Sequence, residues 1–304
     1  MTAIVIFTKN EEKIISQLID DLYNVLKTLP SLNFELFLCD DSTDKTQEIA
    51  KKKKLNIISG KGSLGWSYYF ALSYLSKGSF ENIITLDGDG QTDLSEIPAF
   101  LQELQKGHDL VVGSRFLNSS SISYPYSKWN FMGVKMLSFI ISFCALQKFT
   151  DSHGGLRAMK FRLIKDISFL GTHSYVQETI ISAKSHGFKV KELDSKWNKR
   201  PYGESRVVHS KIKYIKAMAL PLLLRMKAHW IFSIVFLILC YLHLNLSNTR
   251  HFRESGNLSL TGIFNIFQNN FYLILAVFFG LFELYKRYLF IKNKKQIKKW
   301  MNDE

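Results

Sequence analysis

Asp87 and Asp89, in the run Leu86-Asp87-Gly88-Asp89-Gly90-Gln91, are the residues whose type and spacing point most directly to chemistry. They follow Ile83-Ile84-Thr85-Leu86, an apolar and β-branched run that reads as a short buried strand. In a continuing strand the two carboxylates would share one face. On a glycine-permitted turn they can also converge on one point. Two hard oxygen donors at a strand's carboxyl end suit Mg²⁺ or Mn²⁺, with positions left open for phosphate oxygens. A solvated Asp/Gly turn is the plainer alternative.

The surrounding elements must bring other groups to the same edge. Residues 3–7 and 34–39 read as strands, as do 55–58 and 109–113, and helical periodicity fills the gaps, most clearly at Ile14, Ile15, Leu18, Ile19, Leu22, Val25 and Leu26. Thr8 or Asn10 is expected to cap that first helix, with Glu11 and Glu12 favouring its positive end. Strand and helix alternate, which predicts a mostly parallel sheet with ligands at its carboxyl edge. Gly60-Lys61-Gly62-Ser63 lacks the Walker spacing and Gly88-Asp89-Gly90 lacks the dinucleotide fingerprint, so both of those nucleotide folds are rejected.

At 304 residues the chain holds one large α/β domain and something smaller. Apolar density climbs after about residue 217, and the net charge of +14 gathers in the last third, flanking apolar segments. That pattern favours anionic lipid over nucleic acid as the partner. Cys39, Cys144 and Cys240 are widely spaced and form no ligand cluster, so reduced thiols and no zinc are expected. The N-terminus enters a strand directly and carries no secretory signal pattern.

With these turns in order, the sequence resembles glycosyltransferase family 2, in particular the polyprenyl-phosphate glycosyltransferases. Residues 5–11 (VIFTKNE) are similar to its VIPTYNE opening, with Phe7 and Lys9 replacing Pro and Tyr. Residues 39–46 (CDDSTDKT) are similar to VDDGSTDGT with one residue fewer, and residues 86–91 match DADxQ. Residues 112–116 match GSRF, and residues 151–157 (DSHGGLR) resemble DxxSGFR with Gly154 in place of Ser. Residues 197–206 resemble FxxRxxGxSK, with Arg206 for Lys, and Gln177-Glu178 and Gly187 stand where the family has its acidic helix and the glycine after it.

The resemblance implies a GT-A fold, meaning a mostly parallel, Rossmann-like α/β catalytic domain, over residues 1–208. It implies a nucleotide-diphosphate sugar donor, a polyprenyl phosphate acceptor and Mg²⁺ or Mn²⁺ on Asp87 and Asp89. Donor contacts are expected from Thr8, Asn10, Glu11, Asp40, Asp41, Lys61, Asp87 and Gly88. The catalytic set is Asp89, Arg115, Arg200, Arg206 and Gln91, the arginines holding the acceptor phosphate. That phosphate is ionised near neutral pH, so no general base is required and a single displacement would invert the anomeric carbon. A different lipid or glycan acceptor, or an inactive membrane scaffold, remains an alternative; the QxxRW motif of the processive synthases is absent. A homo-oligomer is kept open.

Two apolar stretches, 230–246 and 264–282, are expected to span the membrane as a C-terminal hairpin. Basic residues flank both outer ends, which places both chain ends and the catalytic domain on the cytoplasmic side, with a basic tail after the second span. Residues 209–228 are expected as an interfacial helix, and 129–146 as either interfacial or core.

Overall fold

The computed structural model describes residues 1–118, 121–167, 170, 174–203, 218, 221–222 and 260–303, with backbone alone at 260–280. Seven strands form its sheet: β1 (Thr2–Thr8), β2 (Phe34–Asp40), β3 (Asn56–Ser59), β4 (Asn82–Asp87), β5 (Leu110–Ser114), β6 (Arg157–Lys160) and β7 (Val190–Asp194). Their spatial order is β3-β2-β1-β4-β6-β5-β7. β6 runs antiparallel to both β4 and β5, and the remaining pairs are parallel. β1 is buried along its whole length, as a strand covered on both faces must be.

The side-chain alternation of β1 divides the core. Ile4 and Ile6 join the layer under α1 (Ile15–Lys27), α2 (Thr46–Lys52) and α4 (Ile97–Gln105). Ala3, Val5 and Phe7 join the opposite layer, under α3 (Leu64–Leu75), α5 (Lys128–Ala145) and α6 (Tyr175–Ser185). Register then fixes the functional edge. Thr8 stands beside Asp40 and Phe7 beside Asp87, so β1, β2 and β4 end side by side.

One expectation needs correction here, and two stretches left open gain a local structure. The first helix starts at Ile15 without a side-chain cap, and neither Thr8 nor Asn10 caps it. Their polar atoms are taken by the second turn instead: Thr8 donates to Asp40, and Asn10 accepts from the Thr43 N–H. The basic stretch expected as a tail is helical, part of α7 (Leu260–Asn302), whose 43 residues extend roughly 65 Å. Its far end returns to the catalytic domain, where Ile297 is buried and Trp300 meets Trp66 edge-on at 5.2 Å. The stretch 129–146 packs one face on the core and leaves the other exposed. Val134, Ser138, Ile141 and Ala145 of α5 face the core, while Trp129, Met132, Met136, Phe139, Phe143 and Leu146 form an exposed stripe.

Cys39 and Cys144 are free thiols. Among the described residues no helix is long and apolar enough to cross a membrane. The first expected span (230–246) and nearly all of the interfacial stretch 209–228 lie outside the described residues, as do the side chains of most of the second span (264–282).

Candidate active site

Strand β4 ends at Asp87, and the turn through Gly88 and Gly90 returns Asp89 to the same edge. Both carboxylates are largely withdrawn from water. Burial, and then the neighbouring Asp89 charge, push Asp87 up to about 6 against the pull of Arg157, Arg115 and Arg200. Burial also raises Asp89, opposed by the Gln91 backbone N–H and by Arg200. Among the described residues no third His, Cys, Asp or Glu joins them as a metal-binding group. Two neighbouring buried carboxylates that raise each other's cost of ionisation fit a divalent cation with positions left for a phosphate-bearing substrate.

The segment that carries Arg200 is tied to this turn. Gln91 donates from Nε2 to the Asn198 carbonyl at 3.0 Å, and the Asn198 N–H returns a bond to the Gln91 carbonyl at 2.8 Å. Thr92 and Trp197 form a β-bridge beside them. Arg200 is thereby placed with Nη2 on Glu11 and Nη1 3.9 Å from Asp89 Oδ2. The charged partner found for Arg200 is thus Glu11, a residue of the same edge. Its sequence neighbour Glu204, and Arg206 with it, lie outside the described residues.

Asp40 plays a different part from the one expected. It is 1% exposed, its Oδ1 accepts from Thr8 and Ser42 hydroxyls at 2.5 Å each, and its Oδ2 accepts from the Ser42 N–H at 3.0 Å. A carboxylate so enclosed braces the turn and leaves direct contact to Asp41, which is more open and pairs with Lys9 at 3.1 Å. Just before α2, Asp44 accepts from both the N–H and the hydroxyl of Thr46, and the helix's N-cap, Lys45, has no side-chain cap. Lys61 sits on the loop before α3 with its ammonium 4.1 Å from the Phe70 ring centroid.

Arg115 also departs from its expected role. Nε and Nη2 grip the two oxygens of Asp151 at 2.7 and 2.8 Å, and the pair is almost wholly buried. Burial alone would raise Asp151, but this two-pronged bond outweighs it and holds the carboxyl below its usual range. Arg115 thus joins the end of β5 to the 151–157 turn, and its partner in this structure is Asp151.

That turn leads into a residue that was matched to the family motif but given no role in the site. Arg157, on β6, is 1% exposed, donates from Nε and Nη2 to the Gly154 carbonyl, and lies over the rings of Tyr68 and Tyr175. Its Nη1 is buried with no hydrogen-bond partner, and its charge is felt at Asp87. Its place at the end of the DSHGGLR run was the available signal. The two glycines before it are steric requirements. A Cβ on Gly154 would lie 1.8 Å from the Gly113 carbonyl oxygen, and one on Gly155 would lie 2.5 Å from Asp87 Oδ2. The family's usual Ser at position 154 has no room in this chain.

Residues 3–168 match the family described as Glycosyl transferase family 2. The chain is 33% identical over 210 residues to an uncharacterized protein of Methanocaldococcus jannaschii, covering 65% of this chain and 81% of that one. It is 24% identical over 205 residues to a dolichyl-phosphate hexose transferase of Haloferax volcanii, covering 67% and 86%. Glucosyl-3-phosphoglycerate synthase from Mycobacterium tuberculosis, solved with Mn²⁺, uridine diphosphate and phosphoglyceric acid, superposes with TM-score 0.54 at 15% identity over 74% of this chain and 76% of that one, which establishes a shared fold.

Proposed function

The chain belongs to glycosyl transferase family 2 and is a nucleotide-sugar glycosyltransferase; on that premise we propose that it transfers the sugar to a polyprenyl phosphate at a membrane surface, inverting the anomeric carbon. The observation that carries this reading is the Asp87/Asp89 pair with Arg200 beside it, one cation standing at the edge where two raised carboxylates meet. Asp87 and Asp89 would hold Mg²⁺ or Mn²⁺, whose role is to neutralise charge on the departing diphosphate. Asp41, Glu11 and the Lys61 loop are assigned to the nucleotide, with Asp40 and Thr8 bracing them from below.

Arg200 is assigned to the acceptor. It exchanges Glu11 for a phosphate oxygen and directs it at the anomeric carbon, a new C–O bond forming as the bond to the donor's diphosphate breaks. Arg206 follows six residues later in the sequence and is proposed to share this duty. The ionised phosphate needs no proton removed, so no general base is required.

The membrane part of the reading is supported by the exposed stripe on α5, where Trp129 is 76%, Phe139 72% and Leu146 91% exposed. Such a face suits the boundary between headgroups and acyl chains. We keep the proposal of two C-terminal spans, 230–246 and 264–282, with both ends cytoplasmic, on the apolar lengths and their basic flanks. The relative named as a dolichyl-phosphate hexose transferase points to the same acceptor class. The test is to incubate membranes containing the full chain with a panel of radiolabelled nucleotide sugars and polyprenyl phosphate, then extract with organic solvent. Label entering a lipid product only when polyprenyl phosphate is added supports the reading; label reaching a glycan or diacylglycerol instead overturns it.

A further inference from the structure

A second cationic cluster lies away from Asp87 and Asp89, where α7 crosses the catalytic domain. Lys286 and Arg287 of α7 line a groove of about 380 Å³ together with Lys165, from the 3-10 turn after β6, and His186, which ends α6. Ile167, Leu170 and Phe290 give it an apolar floor, and Asp166 is the carboxylate on its wall. The two sides are locked to each other. Buried Asn293 of α7 donates from Nδ2 to the Leu170 carbonyl at 3.2 Å, and Glu178 of α6 accepts the Leu170 N–H at 2.6 Å. Lys286 is shared with Glu283 at 3.1 Å, which leaves the groove's balance positive.

The groove's position in the sequence matters as much as its charge. Lys286 and Arg287 stand where α7 passes from the apolar run 271–282 to the basic stretch 286–299. Tyr285 and Tyr288 stack there at 6.4 Å, as aromatic residues do at a headgroup boundary. A free inorganic anion has no use for an apolar floor. An amphiphile with a phosphate head uses both the floor and the cations.

We propose that this groove binds the headgroup of an anionic bilayer phospholipid. Its phosphodiester sits against Lys165, Lys286 and Arg287, its glycerol lies against Ile167, and its acyl chains run back toward the apolar run 271–282. A lipid held between α7 and the catalytic domain would fix the height of the Asp87/Asp89 edge above the bilayer. The inference rests on the membrane reading given above, but its test uses neither donor nor acceptor, so the two can fail separately.

The experiment is thermal unfolding of the full chain in maltoside detergent, titrated with dioctanoyl phosphatidylglycerol, dioctanoyl phosphatidylcholine or glycerol phosphate. Phosphatidylglycerol alone should raise the midpoint saturably. K286Q/R287Q should need roughly tenfold more of it, since each basic residue near an anionic headgroup contributes severalfold. K51Q/K52Q, an equal charge loss on α2 in the opposite layer, should respond like the parent. An unchanged response in K286Q/R287Q, an equal weakening in K51Q/K52Q, or the same shift from glycerol phosphate would each overturn the proposal. Should K286Q/R287Q not fold, K165Q removes one cation from the other wall at an exposed site, and a parental response there overturns it as well.

Discussion

Arg200 places Nη1 3.9 Å from Asp89 Oδ2 while its Nη2 is bound to Glu11. One guanidinium thus serves the carboxylate proposed for the metal and the one proposed for the nucleotide. Replacing it with alanine removes a charge-assisted contact to the acceptor phosphate, on the order of 1.5–3 kcal/mol, or roughly ten- to a hundredfold in kcat/KM. We expect Arg200→Ala to show that loss with nucleotide-sugar affinity little changed by calorimetry. A parallel collapse of donor affinity and thermal stability would reassign Arg200 to the donor site.

Asp87 is a destabilising group in the metal-free chain. Its pKa is raised to about 6 from 3.8, so the folded state holds more protons than the unfolded state between these values. Metal-free stability therefore falls as pH rises through that window. Asp87→Asn should abolish transfer yet raise the metal-free melting temperature at pH 7, by a stability increment on the order of 1–3 kcal/mol. Added Mn²⁺ should stabilise the parent and leave Asp87→Asn unmoved. A variant less stable than the parent without metal would contradict this.

Gly154 offers a test of local fit. The family's usual residue there is Ser, but a Cβ would meet the Gly113 carbonyl oxygen at 1.8 Å. Backbone on both sides must move, and Gly154→Ser should cost about 1–3 kcal/mol in denaturant unfolding. Arg157, anchored on the Gly154 carbonyl, would shift with it, and activity should fall too. A neutral substitution would show that the 151–157 turn relaxes freely.

How much of this was legible beforehand depended on how local each signal was. Alternating apolar and helical periods within β1, α1 and β4 placed the sheet and its carboxyl edge, and Asp87 and Asp89 could be read from a run of six residues. Contacts between distant segments could not. The bidentate grip of Arg115 on Asp151 joins residues that are 36 apart, and Arg200 meets Glu11 across 189. Asp40 looked like an open acceptor because its burial comes from Thr8, 32 residues earlier. The antiparallel β6 was missed because a four-residue strand carrying Arg157 and Lys160 has too short a period to read.

His153 gives a pH dependence of opposite sign to that of Asp87. Burial, then the nearby charge of Arg115, push its pKa down to about 4 from 6.5. Below pH 6.5 the unfolded chain takes up a proton that the folded chain refuses, so stability is lost as pH falls towards 4. The difference in melting temperature between parent and His153→Asn should therefore shift in the variant's favour from pH 7 to pH 4.5. A constant difference across that range would mean that His153 titrates normally.

Sugar transfer to polyprenyl phosphate is proposed to depend on the Asp87/Asp89 pair. It is tested most directly with the purified full chain, its matched donor and polyprenyl phosphate, following the lipid product by mass spectrometry. With Mn²⁺ or Mg²⁺ the lipid should gain the mass of one sugar; EDTA should stop this, restored metal should revive it, and Asp89→Ala should remain inactive while melting as a folded protein. Undiminished product in Asp89→Ala under excess EDTA would contradict the account, as would a polyprenyl phosphate left unmodified while the same donor is consumed on another acceptor.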